Sequence, residues 1–168
     1  SGYPSGLVDR GSVIDPSAFS GDFLQRIVIP PSALLNNGAQ LDGNILKVSI
    51  DVNFQQAING PHKLACVLVE DSVTGSGPQY YQANYYSGGT SLVDVDGTDW
   101  NAKPSNVPDY MMVYRHVARA ISPSFLGDLL PQNSYNVGDT ETVCFEFIIN
   151  PDWDLSKIHI VGMLMDQA

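Results

Sequence analysis

The sequence predicts an all-β domain, an antiparallel β-sandwich of jelly-roll or immunoglobulin-like type interrupted by one long inserted loop. Three observations predict it. Runs of alternating apolar and polar residues recur along the chain, Gly/Pro/Asn/Asp clusters separate them, and no amphipathic helix lies between them. At 168 residues the chain makes one domain, or one domain plus a fragment of another. A chain this long buries roughly 70% of its unfolded surface, enough to fold without a metal or a disulfide.

Residues 1–20 read as an irregular N-terminal segment, with Pro4, Pro16 and three glycines, ahead of a sandwich domain over 21–168. An apolar run from Phe23 to Ile29 stops at Pro30-Pro31, because proline has no N–H to give a ladder. Asn36-Asn37-Gly38 and Asp42-Gly43 carry turn chemistry. The clearest strand runs from Asn44 to Phe54. Leu46, Val48, Ile50, Val52 and Phe54 share one face, with Lys47, Ser49, Asp51 and Asn53 on the other. After Asn59-Gly60-Pro61 a second strand, Lys63 to Glu70, is expected to pair with it as a hairpin or meander. Tyr110 to Ala120 alternates well enough to be a strand, and Ser124 to Leu130 has the look of a helical turn. Glu141 to Ile149 and Lys157 to Met165 complete the set, joined around Asn150-Pro151-Asp152. Trp153 is expected to plug one end of the sandwich, and Asp154 to form an Asx-type turn before Leu155-Ser156.

The formal charge of −10 comes from 18 acids against 8 bases, with no basic cluster. Nucleic acid and anionic membrane surfaces are therefore poor partners, whereas cationic groups, divalent metals and neutral sugars remain open. No apolar run approaches the ~20 residues that span a bilayer, and no signal-peptide pattern opens the chain. The sequence thus reads as cytosolic or as a processed product; abundant Asn, Ser, Gly and Tyr with scarce Lys lean toward export. Cys66 and Cys144 both fall mid-strand. Alternation puts Cys144 with Thr142, Glu146 and Ile148, opposite Val143, Phe145, Phe147 and Ile149, which favours free thiols over an inter-sheet disulfide.

The segment Asp71 to Asp109 carries the functional signal. Irregular stretches this long inside a domain are functional or disordered, and its aromatic and carboxylate content favours function. Tyr80, Tyr81, Tyr85, Tyr86 and Trp100 offer wide contact area at low entropy cost, suited to a protein or glycan partner; the plainer reading is that half of the rings cap the sandwich edge. Asp94, Asp96, Asp99 and Asn101 surround Gly97, a partial match to a calcium loop without the EF-hand spacing or its bidentate Glu. A solvated turn in which each Asp bonds its own backbone competes with that reading. His116, between Arg115 and Arg119, tempts as a general base, yet no nucleophile or orienting carboxylate is recognisable for it. His62 and His159 lack metal-ligand spacing. A structural role for His116, with Arg115 and Arg119 paired to carboxylates, and no catalytic residue anywhere, is the expectation.

Three segments resemble one family. Tyr110 to Arg119, with His116-Val117 and Arg119, resembles the Tyr…His-Val-x-Arg block of the twenty-eight-kilodalton outer-membrane-protein family of Bacteroidetes. Leu64 to Asp71 resembles its strand ending in Glu-Asp, and Trp153 to Gln167 is similar to its closing segment. Gly2-Tyr3-Pro4-Ser5-Gly6-Leu7-Val8-Asp9-Arg10 looks like the cis-proline segment near the end of thioredoxin-like domains, which members of the family often carry ahead of the sandwich. The resemblance implies an exported cell-surface adhesin or receptor without catalytic residues, following an upstream thioredoxin-like domain. The long Tyr/Asp insert departs from the family pattern. The reading is a non-enzymatic surface β-sandwich binding a protein or glycan through residues 78–101. The alternatives are a calcium-dependent carbohydrate-binding module and an accessory domain of a thioredoxin-like surface protein.

Overall fold

Two antiparallel sheets stacked face to face hold the molecule together, in a computed structural model that describes residues 6–9, 11–94 and 96–166. A short N-terminal portion leads into helix α1 (Phe19–Arg26), which buries none of its side chains. The strands follow as β1 (Ala33–Asp42), β2 (Ile45–Phe54), β3 (Ile58–Asn59), β4 (His62–Glu70), β5 (Gln82–Ala83) and β6 (Asn106–Val107). After the inserted segment come β7 (Val117–Ser122), β8 (Asp128–Leu129), β9 (Ser134–Tyr135), β10 (Thr140–Ile148) and β11 (Ile158–Asp166). One sheet has the order β1-β2-β10; the other has β11-β4-β7, with β8 continuing beside β4. The all-β antiparallel sandwich expected from the sequence is what the chain forms.

The alternating rows do the packing. Val48, Ile50, Val52 and Phe54 of β2 point inward with Phe145 and Phe147 of β10, against Leu64, Cys66 and Leu68 of β4. Each fully buried aliphatic side chain contributes roughly 1.5–3 kcal/mol. Phe54 stacks on Tyr135, ring centroids 4.1 Å apart, closing the end of the core where the β3–β9 pair sits. The sheets approach closely at Gly162: a Cβ there would lie 3.0 Å from Leu35 and 3.1 Å from Ile50. Trp153 packs against this core, and Asp154 accepts from Ser156 N at 3.1 Å, as the sequence suggested. Cys66 is buried in the interior while Cys144 is exposed, facing away; both thiols are free.

Several expectations need correction. β2 and β4 are not a hairpin: β2 pairs with β1 and β10, and β4 lies in the opposite sheet. Asn36-Asn37-Gly38 lies inside β1 rather than in a turn, because both faces of that edge strand meet solvent there and polar residues cost nothing. The true turn is Gly43-Asn44, with Gly43 at φ 62°, closing a β1–β2 hairpin between Asp42 and Ile45. The apolar run at Phe23 overlaps helix α1, so a boundary between residues 20 and 21 falls inside that helix. Ser124 to Leu130 forms a β-turn and β8, with no helical turn. Tyr110 to Ala120 is not one strand: a 3-10 turn covers Asp109–Met111, and β7 begins only at Val117. His116 sits between them at φ 53°, a left-handed conformation that breaks any ladder. Residues 1–5 and Arg10 of the thioredoxin-like segment, Pro4 included, lie outside the described residues.

Candidate functional site: a cleft in the inserted segment

The chain leaves the sandwich at the end of β4 and returns at β7, where Glu70 and Val117 are paired neighbours. Just beyond this gate Val73 and Tyr114 exchange both backbone hydrogen bonds at 2.8 Å, pinning the base of the excursion. The excursion has little regular structure: among the described residues, the two-residue pair β5–β6, an isolated Val93–Asp99 bridge and single 3-10 turns at Pro78–Tyr80 and Asp109–Met111. Polar staples hold it instead. The Asn84 side chain is buried; its Nδ2 donates to the carbonyl of Trp100 at 2.7 Å and to those of Lys103 and Pro104 at 3.3 Å. Its Oδ1 accepts from Tyr86 N at 3.0 Å. One amide therefore ties residues 84–86 to residues 100–104. Asp109 accepts from Gly77 N at 2.7 Å, and Lys103 Nζ donates to the carbonyl of Met111 at 2.9 Å.

These staples enclose a cleft of about 600 Å³. Tyr85, Tyr86, Trp100 and Leu92, with Met111 to Val113, give it aromatic and apolar wall, and Asp94, Asp96, Lys103 and Arg115 its charge. Lys103 Nζ lies 5.3 Å from the Trp100 ring centre, a cation–π contact. Arg115 spans two carboxylates, Asp71 and Asp96, each at 3.8 Å. Hydrogen bonds from the backbone and hydroxyl of Thr98 hold the Asp96 carboxyl below its usual range, with Arg115 and Lys103 adding to the effect. A bond from Ser72 N–H does the same for Asp71, with Arg115 and His116 adding to it.

Of the five aromatic residues singled out in the sequence, Tyr85, Tyr86 and Trp100 line this cleft. Tyr80 faces elsewhere: its ring lies 6.4 Å from Tyr114, whose hydroxyl donates to the Tyr80 carbonyl at 3.0 Å. Tyr81 is exposed and is not part of the wall. The calcium set is not assembled. Asp94 accepts from the Trp100 indole at 3.4 Å, Asp96 from Thr98 N at 2.9 Å and Asp99 from Asn101 N at 3.0 Å. Asn101 Oδ1 is buried with no hydrogen-bond partner among the described residues. No group of three or more His, Cys, Asp or Glu side chains among them is placed to hold a metal ion. Asp96 and Asp99 each accept from the backbone N–H two residues on, the local bonding of an Asx turn. His116 is exposed and outside the cleft, while Arg119 reaches the buried Glu70 at 2.8 Å. A bulge in β7 makes that pair: the register shifts at Leu68/Val69, leaving Arg119 as the extra residue. Sequence reasoning missed Asn84, Met111 and Met112, since nothing in an Ala-Asn-Tyr-Tyr string marks a buried staple.

The fold and this cleft define a class: a β-sandwich presenting a concave, aromatic and charged surface on an inserted segment. More particularly, the chain belongs to the family described as outer membrane protein Omp28, which matches residues 1–168. No curated protein and no solved structure matches it. Among the described residues no helix is long and apolar enough to cross a membrane.

Proposed function

We propose that this outer-membrane-family chain is a non-catalytic, exported surface module that captures a protein or glycan partner in the cleft of its inserted segment. One observation carries the reading: Tyr85, Tyr86 and Trp100, held by a buried amide, face one 600 Å³ concavity that also bears both signs of charge. Concave, largely apolar sites with a few polar groups are where ligands bind. Rigid aromatic rings supply contact area without a large entropic cost. Of the cleft carboxylates, Asp96 accepts from Thr98 N–H and pairs with Arg115 while Asp94 accepts from the Trp100 indole, which supports recognition over acid–base chemistry.

The test is binding to a printed glycan array and to a panel of immobilised glycoproteins, with the Tyr85→Ala/Tyr86→Ala/Trp100→Ala variant alongside. The expected outcome is a saturable signal that the variant loses while its melting curve stays close to the parent's. A signal unchanged by the three substitutions would place recognition elsewhere on the surface.

A further inference from the structure

We propose that β1 is the seam of a two-fold homodimer, in which a second copy of this chain adds its own β1 antiparallel to form one continuous six-stranded sheet. Among the described residues β1 is an edge: over ten residues it pairs with β2 alone, and from Asn36 to Asp42 every residue is exposed. Its free backbone groups can be assigned. Phe54 N–H donates to the carbonyl of Asp139, and the Phe54 carbonyl accepts from Gly138, so the even-numbered residues of β2 point toward β10. The Asn44 carbonyl, accepting from Ile149 N, agrees. Register then turns Ala33, Leu35, Asn37, Ala39 and Leu41 of β1 outward, their donors and acceptors unused by β2.

Sheet edges are normally blunted by charge, proline, bulges or brevity. The other long edges carry such devices: β10 has Glu141 and Glu146, β7 is bulged at Arg119, and β11 has His159 and Asp166. β1 has none between Ala33 and Leu41. No ionisable residue occurs from Ile27 to Leu41 in a chain whose net charge is −10. A strongly acidic molecule can meet its own copy only where repulsion is absent, and this strand is such a place.

The strand is also self-complementary. An axis through Asn37 sets Asn37 opposite its symmetry mate, Leu35 opposite Ala39 and Ala33 opposite Leu41, all outward-facing with outward-facing. Each of the five pairs exchanges two N–H···O=C bonds, about ten in all. Inner-facing side chains stay on the inner side, so neither sandwich needs to shift.

Sedimentation equilibrium from about 1 to 200 µM tests it, a range that spans ordinary dimer affinities. The wild type should move toward twice the protomer mass. Asn37→Pro, which deletes an outward N–H and touches no β1–β2 bond, should stay monomeric with an unchanged far-UV spectrum. Should that variant not fold, Asn37→Asp sets two carboxylates face to face on the axis and reads the same dissociation. Register is read by cross-linking in a Cys144→Ser background. Asn37→Cys should form a dimer disulfide on mild oxidation, since narrow-pair Cα atoms lie about 5.5 Å apart. Gln40→Cys should not, because its symmetry mate lies about 20 Å away along the strand. A wild type that is monomeric throughout, a dimer that survives both Asn37 substitutions, or equal cross-linking at 37 and 40 would overturn the proposal.

Discussion

The sandwich and the excursion it carries are stabilised by opposite means. In the sandwich, rows of Val, Ile, Leu and Phe from strands far apart in sequence share one interior, so stability is spread over many contacts. In the excursion, hydrogen bonds from Asn84, Asp109 and Lys103 set the shape around a few buried side chains, Val73, Val107 and Met112, while Tyr85, Tyr86 and Leu92 stand exposed at the cleft. A distributed apolar core tolerates no charge but shares any loss. A stapled loop tolerates most surface changes yet depends on single polar groups. The division lets a rigid frame present rings that remain available for contact.

Substitutions should separate the two regimes. The largest effect is expected for Ile50→Asp, which puts a carboxylate where only 1% of the side chain is exposed. Burying an unpaired charge costs an amount comparable to the whole 5–15 kcal/mol of domain stability, about enough to unfold it. Loss of the cooperative thermal transition in circular dichroism checks this. Next comes Arg119→Leu, which leaves Glu70, 6% exposed, without its charge partner and with only the Asp154 N–H; a loss of about 3 kcal/mol in urea unfolding is expected. Asn84→Ala removes the amide donor shared by the carbonyls of Trp100, Lys103 and Pro104, at about 1–3 kcal/mol. That loss should be local: faster hydrogen exchange and proteolysis over 84–104, with β2 and β4 still protected. Smallest in stability is Tyr85→Ala, a 96% exposed ring whose removal should change unfolding by no more than about 0.5 kcal/mol. The thiols give a control without substitution. Burial pushes the Cys66 thiol up to about 11, so at pH 8 it stays protonated as well as inaccessible. Native protein should therefore react once with a thiol reagent, at Cys144, and twice when unfolded.

Much of the frame was legible in the sequence because a half-buried strand writes its burial as a period of two. Leu46 to Phe54 and Val143 to Ile149 show it, and both lie where alternation put them. β1 was not legible: beyond Leu35 it meets solvent on both faces and carries no period, and Asn36-Asn37-Gly38 looks like a turn in any local reading. Alternation also misled at Tyr110 to Ala120, where the period is accidental and the left-handed His116 divides the segment. Partner strands stayed hidden because register depends on contacts across the chain, as between β2 and β10. For the cleft, composition pointed to Tyr85, Tyr86 and Trp100. It could not separate them from Tyr80 and Tyr81, which differ only in how the loop folds. The aspartates were visible, but whether carboxylates converge or each caps its own turn is decided by backbone geometry.

The gate between β4 and β7 has one more consequence. Because Glu70 and Val117 are cross-strand neighbours, residues 71–116 depart and come back through an opening one strand spacing wide, roughly 5 Å. Such an appendage can grow, shrink or be exchanged without asking the frame to adjust. Splicing β4 to β7 with a short hairpin turn should yield a bare scaffold that still melts as one unit. Onto that scaffold a differently shaped graft could be set.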